Sequence, residues 1–166
     1  AFYKGPIARK IVADSQRHHG LITAADLAGY KAVERTPIRG SYRQFEVVTM
    51  PPPSSGGIHL VQMLNIMDGW PIGTWGQNSA QTVHHMAEAM KLAYADRAEY
   101  LGDPDFVQVP VTGLTSRKYA ALLRGQIDPA QAKPAKDIKP GKPQPYESDQ
   151  TTHYSVMDAK GNAVAV

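Results

Sequence analysis

The sequence contains no cysteine, which excludes a disulfide-stapled scaffold and any chemistry that needs a thiol, but leaves the cellular compartment open. It also lacks an apolar run near the roughly 20 residues that a helix needs to cross a bilayer. No strong excess of one charge is present either, since 18 basic and 15 acidic residues give a net charge of +3. Nucleic-acid binding therefore has little support, because it needs basic residues clustered on one face.

The composition is that of one ordinary globular core. A chain of 166 residues with 42% hydrophobic content can bury one such core, and nothing indicates a second. The opening Ala1-Phe2-Tyr3-Lys4 has neither a start methionine nor a signal peptide, and the sequence stops inside an apolar run. We therefore expect a fragment of a longer protein, from which an export signal could have been removed.

Helical patterns dominate the first 127 residues. Spacing and capping residues predict helices over 6–19, after Thr23, over 57–67 with Ser54 or Ser55 as cap, from Ser79 to about 101, and over 116–124. The run from Ile38 to Thr49, interrupted by Gly40, is predicted to be extended and to end at Pro51-Pro52-Pro53. In the last helix Tyr119, Leu122 and Leu123 are expected to point inward.

Residues 128–149 differ sharply in composition. They hold five prolines and four lysines, with almost no apolar residue except Ile138, which is typical of a solvated and poorly packed linker. Two β-forming runs follow, 151–157 and 162–166, and Gly161 lies in the turn between them. We predict a mainly helical part over 1–127, a flexible linker over 128–150 and a β-hairpin over 151–166, in an α+β fold class.

Thr151 stands at the start of the first of these runs. A backbone cut between Gln150 and Thr151 would leave a hydroxyl and a free α-amine on one residue, and such an amine can act as base for its own hydroxyl. A threonine at a strand start is more often only a β-former. Tyr146 and His153 lie close by in the sequence, but their residue type alone assigns them no role.

Other polar groups have ordinary interpretations. His84 and His85 project about 100° apart on a helix and cannot share a metal ion in the usual i, i+4 manner, so we interpret them as surface and packing residues. A mixed set on the same helix is read as an exposed salt-bridge face, and its apolar neighbours as core; the polar set is Glu88, Lys91, Asp96, Arg97 and Glu99, and the apolar set is Met86, Met90 and Tyr94. The small residues at 51–57 could hold an anion at a helix start, but a strand-to-helix turn is the simpler explanation.

Three stretches, in this order and at comparable distances, resemble the γ-glutamyltransferase (γ-glutamyltranspeptidase) family. They are Met50-Pro-Pro-Pro-Ser-Ser-Gly-Gly-Ile58, Val83-His-His-Met-Ala-Glu-Ala-Met-Lys-Leu-Ala-Tyr-Ala-Asp-Arg97 and Gln150-Thr-Thr-His-Tyr-Ser-Val-Met-Asp-Ala-Lys-Gly-Asn-Ala-Val-Ala-Val166. The resemblance implies an N-terminal-nucleophile hydrolase with an αββα sandwich. It further implies a precursor that cleaves itself between Gln150 and Thr151, so that 1–150 belongs to the large chain and 151–166 opens the small chain.

The resemblance also implies the chemistry. Thr151 would be the nucleophile for transfer of a γ-glutamyl group from glutathione or a related compound to water or an amino acid, with Thr152 and His153 as candidate supporting residues. The family has no catalytic metal, and no cofactor is expected. A periplasmic or extracellular location follows from the family alone.

Several alternatives stay open. A related cephalosporin acylase or a poly-γ-glutamate-processing enzyme would share the fold, and a non-catalytic binding module could keep the scaffold, although Gln150 and Thr151 argue against the last. Pocket residues are expected outside these 166 residues, so the fragment alone should be inactive. The edge of its hairpin could lead it to self-associate.

Overall fold

The structure is a computed structural model that describes residues 1–146 together with the backbone of two short strands, Ser155–Met157 and Ala163–Ala165. The chain divides into two compact units, Ala1–Arg35 and Thr36–Val166. No helix among the described residues is long and apolar enough to cross a membrane.

The first unit contains two helices, α1 (Pro6–Arg17) and α2 (Ala24–Gly29). The predicted cap of α2 is confirmed, since the amide of Asp26 donates to Thr23 Oγ1 at 3.2 Å and the amide of Thr23 donates to Asp26 Oδ2 at 2.8 Å. This reciprocal capping box fixes the start of a helix of only six residues. The hydrogen bond from the Thr23 hydroxyl lowers the pKa of Asp26.

The second unit carries the remaining described elements. They are β1 (Ile38–Tyr42), β2 (Phe45–Thr49), α3 (Gly56–Met67), α4 (Ala80–Tyr100), α5 (Val111–Leu114), α6 (Arg117–Arg124), β3 (Ser155–Met157) and β4 (Ala163–Ala165), with short 3-10 turns at Ile72–Thr74, Ala135–Asp137 and Gln144–Tyr146. Strand β3 pairs antiparallel with β4, with Val156 opposite Val164. The described residues therefore form a mixed, mainly helical structure with two small antiparallel sheets.

The run predicted as extended from Ile38 to Thr49 is an antiparallel hairpin. Ile38 pairs with Thr49 and Tyr42 with Phe45, so the chain reverses at Arg43 and Gln44. Arg43 has φ +54°, a conformation usually associated with glycine or asparagine, so residue types alone do not indicate a turn at this position.

Helix α3 lies at the centre of this unit. Ile58, Val61 and Ile66 are buried, and the helix contacts α4, α6 and β1. At its end the guanidinium of Arg124 donates to the carbonyl oxygens of Asn65 and Ile66 at 3.3 and 3.1 Å. A cation placed on the last carbonyls of a helix complements its dipole.

The face of α4 that packs against the core differs from the predicted one. Met86, Met90 and Tyr94 are 45%, 39% and 51% exposed, so their interpretation as core is wrong for the described structure. The buried residues form a different stripe along the same helix, which also repeats every three or four residues. They are His85, Glu88, Ala89, Leu92, Ala93 and Asp96. Ala89 and Ala93 are small, which lets α3 approach α4 closely. On α6, likewise, Tyr119 and Leu123 are buried as predicted, but Leu122 is 51% exposed.

Candidate functional site

The predicted cleavage site itself lies outside the described residues. Gln150, Thr151, Thr152 and His153 all belong to this group, so their arrangement stays a prediction. What the structure does describe is the chain that leads to them. We call residues 128–146 the arm.

The arm is anchored on a buried carboxylate of α4. Asp96 is 1% exposed, and its Oδ1 accepts a hydrogen bond from the amide of Gly141 at 2.7 Å. Its Oδ2 accepts from Gln62 Nε2 at 2.6 Å and from the Tyr119 hydroxyl at 2.8 Å. Hydrogen bonds to an ionised acceptor are shorter and stronger than neutral ones, so this carboxylate joins α3, α6 and the arm at one point.

The other side of Gly141 is held as well. Its carbonyl oxygen accepts from the Tyr100 hydroxyl at 2.7 Å. A Cβ atom at this position would lie 2.1 Å from the Tyr119 hydroxyl oxygen and 3.2 Å from Leu123 Cδ2, so a larger residue does not fit without displacement. We call Asp96, Tyr100 and Tyr119 together with Gly141 the clasp.

The arm continues against the core after Gly141. Pro143 is fully buried, and the ring of Tyr146 lies 5.6 Å from the ring of Tyr119. Burial raises the pKa of the Tyr119 hydroxyl well above its ordinary value, and the hydrogen bond to Asp96 adds to this effect. Tyr119 therefore remains a neutral hydrogen-bond donor throughout the physiological range.

A second anchor lies nearer the start of the arm. Glu88 is 3% exposed, forms an ion pair with Lys91, and its Oε2 accepts from the amide of Lys133 at 3.4 Å. Lys91 Nζ in turn donates to the carbonyl oxygen of Lys133. Residues 128–137 are exposed, as expected of a solvated segment, but the described part from Ile138 onward packs against the core.

Two predictions are therefore wrong. Glu88 and Asp96 do not belong to an exposed salt-bridge face, because both are buried and serve as acceptors for the arm. The prediction that the arm is poorly packed throughout is also wrong, because its described part from Ile138 onward packs against the core. The division of the chain at 127 and 150 stays a prediction.

The loop at 51–57 behaves as a strand-to-helix turn. A Cβ on Gly57 would lie 1.9 Å from the carbonyl oxygen of Met50, so the backbone passes closer to itself here than any side chain permits. Ser55 occupies the N-cap position but makes no capping hydrogen bond, contrary to prediction. Its hydroxyl instead accepts from Arg97 Nε at 3.2 Å.

His59, one turn into α3, is a buried titratable group. Its Nε2 donates to the carbonyl oxygen of Ala93 at 3.1 Å, and its ring stacks on Tyr94 at 5.2 Å. Burial lowers its pKa; the hydrogen bond to Ala93 and the charge of Asp96 oppose this, while the charge of Arg97 reinforces it. The folded protein therefore favours the neutral imidazole.

The paired histidines have separate structural roles. His85 is buried, its Nδ1 donates to the carbonyl oxygen of Gln81 at 2.8 Å, and its ring lies 4.6 Å from those of Trp70 and Trp75. His84 Nε2 donates to the carbonyl oxygen of Asp128 at 2.7 Å, near the start of the arm. Within the described residues, no cluster of three or more His, Asp or Glu side chains is arranged to hold a metal ion.

Sequence reasoning did not identify Gln62, Tyr100, Tyr119 or Gly141 as parts of a site. The sequence contains a recognisable signal for two of these residues. Gly141 is the single glycine between residues 128 and 149, and Gln62 is a polar residue in a mainly apolar helix. A glycine among prolines marks a close backbone approach, and a buried polar residue needs a partner.

The family profile described as Gamma-glutamyltranspeptidase matches residues 1–166. The chain belongs to the gamma-glutamyltranspeptidase family, and the resemblance stated from its motifs is confirmed. It is 60% identical over 165 residues to the "Glutathione hydrolase proenzyme" of Escherichia coli (strain K12), covering 99% of this chain and 28% of that protein. It is 46% identical over 166 residues to the "Acylase ACY 1 proenzyme" of Pseudomonas sp. (strain SE83), covering 99% and 29%.

Structural comparison agrees with this assignment. The crystal structure of Helicobacter pylori gamma-glutamyltranspeptidase superimposes with a TM-score of 0.78 at 43% sequence identity, over 90% of this chain and 43% of that chain. The 166 residues thus span less than a third of the length of the two curated relatives.

Proposed function

We propose that the whole protein is a γ-glutamyltransferase and glutathione hydrolase of the N-terminal-nucleophile class, with the αββα sandwich of that class. The observation that carries the proposal is the match to the glutathione hydrolase proenzyme over nearly the whole chain, combined with the Gln150-Thr151-Thr152-His153 motif. The name proenzyme, which that relative carries, supports a precursor that must be processed.

In the first reaction Thr151 cleaves its own chain. Its hydroxyl oxygen bonds to the carbonyl carbon of Gln150, the bond from that carbon to the Thr151 nitrogen breaks, and the nitrogen takes a proton to become the α-amine. Water then hydrolyses the ester, leaving a Gln150 carboxylate and a free Thr151 hydroxyl. The cut separates a large chain ending at Gln150 from a small chain beginning at Thr151.

In the second reaction the same hydroxyl attacks the γ-glutamyl amide of the substrate. An α-amine has a reference pKa of roughly 7.7–8.0, so it is partly neutral near physiological pH and can accept the hydroxyl proton. The leaving amine takes that proton, and the γ-glutamyl ester passes to water or to an amino acid. Two ester steps thus replace one difficult amide cleavage.

The test is the mass of the purified full-length protein. Wild type should give two chains whose masses place the cut between Gln150 and Thr151, and Thr151→Ala should give one chain. Thr151→Ser is the matched control, because it keeps the hydroxyl and should still be cleaved. A Thr151→Ala protein that splits at the same bond would overturn the mechanism.

A related acylase is the second candidate, because the relative named as an acylase is 46% identical over the whole chain. Turnover of a chromogenic γ-glutamyl amide, compared with release of the acyl group from an acylated cephalosporin, distinguishes the two. A periplasmic or extracellular location is part of the proposal and rests on the family alone. Cell fractionation tests it.

A further inference from the structure

The clasp holds both of the peptide groups that flank Gly141 in the arm. Asp96 accepts from the amide of Gly141, and Tyr100 donates to its carbonyl oxygen. Tyr119 binds the same carboxylate and occupies the space where a side chain of residue 141 would stand. The position and the orientation of the backbone at Gly141 are therefore both specified.

The constraint extends along the chain toward the cleavage site. Pro143 is fully buried, the amide of Tyr146 donates to the carbonyl oxygen of Pro143 at 2.9 Å, and the Tyr146 ring packs beside Tyr119. Gln150 lies only four positions after Tyr146 in the sequence. Four residues of fully extended chain span at most about 14 Å, so an anchor at Tyr146 limits the volume that the Gln150 carbonyl can occupy.

The rate of nucleophilic attack within a chain depends strongly on how far the reacting atoms can move. Reacting atoms must come to about 3–3.5 Å in the right orientation, and a misplacement of about 1 Å can reduce the rate by 10²-fold. A free arm would spread the Gln150 carbonyl over many positions and lower the fraction of time spent in attack geometry.

We propose that Asp96, Tyr100 and Tyr119 are positioning residues for cleavage of the Gln150–Thr151 bond, acting through Gly141. The inference rests on the proposed function, because it assumes that Thr151 attacks Gln150. The contacts of these side chains that the structure describes are with the arm, with α3 and with one another. They act by fixing the chain that leads to both reacting atoms.

The experiment follows cleavage over time in the full-length protein. Tyr100→Phe, Tyr119→Phe and Gly141→Ala are each purified as uncleaved precursor, and the fraction of two-chain protein is measured by intact mass. If the clasp positions the chain, each of the three variants should cleave about 10-fold to 100-fold more slowly than wild type. Tyr94→Phe is the matched control, since it removes a hydroxyl from the same helix outside the clasp and should cleave at the wild-type rate.

A second measurement separates positioning from general destabilisation. Each variant is left to cleave to completion, and its turnover of a γ-glutamyl amide is then determined per mature Thr151 N-terminus, together with its melting temperature. Positioning predicts that the cleavage rate falls by a much larger factor than turnover does. Equal losses in both, in step with the melting temperature, would reduce the clasp to a structural element and overturn the inference.

The two proposals also fail in different ways. If wild type and Thr151→Ala both remain single chains, the proposed function fails. If wild type cleaves at Gln150–Thr151 and all three clasp variants cleave equally fast, only the positioning role fails.

Discussion

Gly57 and Gly56 are neighbours in the first turn of α3, yet only one of them lies against another stretch of backbone. A Cβ on Gly57 would meet the Met50 carbonyl oxygen at 1.9 Å, whereas a Cβ on Gly56 would meet only Ser54 Oγ at an ordinary 3.7 Å. Since the obstructing atom belongs to the main chain, a side-chain rotation cannot relieve the contact. The strand-to-helix turn at 51–57 therefore depends on one glycine rather than on both.

We expect Gly57→Ala to lower the free energy of unfolding by about 1–3 kcal/mol or more, the usual cost of overpacking. Gly56→Ala should be neutral or stabilising by up to about 1 kcal/mol, because alanine favours the helix and restricts the unfolded chain. Urea unfolding of the two full-length variants makes the comparison. Equal midpoints would contradict the close approach at Gly57.

His59 is predicted to make stability depend on pH. Because burial lowers its pKa in the folded protein, the unfolded chain binds the proton more readily below about pH 6.5. Its contribution is complete above that pH and is lost as the pH falls toward the folded pKa, with a slope of at most about 1.4 kcal/mol per pH unit for one proton.

The matched variant is His59→Gln, whose side-chain amide can still donate to the Ala93 carbonyl but does not titrate. Wild type should lose more free energy of unfolding than His59→Gln between pH 7 and pH 5. Parallel curves for the two proteins would show that the ring does not change its protonation across folding.

At the scale of elements, helices with caps and periodic apolar residues were predictable, because those signals are local. Ser79 caps α4 through the amide of Thr82, as predicted, and Ser116, predicted as the first residue of α6, caps that helix through the amide of Tyr119. The turn at Arg43 and the buried face of α4 were not predictable in this way. Both depend on tertiary contacts: Arg43 adopts a positive φ without being glycine, and two competing stripes on α4 have the same period.

The packing of the second half of the arm was not predictable, for a related reason. Composition reports how much apolar surface a segment has, but it does not show that a buried carboxylate elsewhere will accept its amide. Each hydrogen bond to a charged group contributes about 1.5–3 kcal/mol, enough to offset the ordering of one or two residues. From the sequence, site residues were predicted at Gln150 and Thr151, through resemblance to the family. The clasp was not predicted.

Hydrogen exchange should divide the arm in two. The amides of Gly141 and Tyr146, bonded to Asp96 and to the Pro143 carbonyl, should exchange slowly in the uncleaved full-length protein. Amides in 128–137 other than that of Lys133, which is bonded to Glu88, should exchange quickly. Uniformly fast exchange over 128–146 would contradict the packing of the second half.

At the scale of the whole molecule, the 166 residues form two compact units that together cover only 28% of the Escherichia coli relative. The described unit that follows Arg35 has a core of its own, built on α3. It presents the arm that leads to the predicted cleavage site. In the proposed function, the groups that bind the substrate are supplied by other parts of the whole protein.

We therefore expect the isolated 166-residue chain to remain uncleaved and to lack γ-glutamyl transfer activity. Without further strands to hold the Gln150 carbonyl, and without oxyanion donors, which alone can contribute about 10²–10³ in rate, neither reaction should proceed. Incubation followed by intact mass and a chromogenic γ-glutamyl amide assay tests this expectation. Turnover above a Thr151→Ala fragment, or spontaneous scission, would contradict it.

The two anchors of the arm have a consequence for how its length can vary in evolution. Lys133 is held near Glu88 and Lys91, and Gly141 near Asp96 and Tyr100, positions on α4 that are only about 13 Å apart at 1.5 Å per residue. The seven residues between the anchors have slack, and lengthening such a loop costs little, about 0.6 kcal/mol per doubling. Insertions and deletions at 134–140 should therefore be tolerated, whereas each residue gained or lost between Gly141 and Gln150 displaces the Gln150–Thr151 bond relative to the clasp and should slow its cleavage.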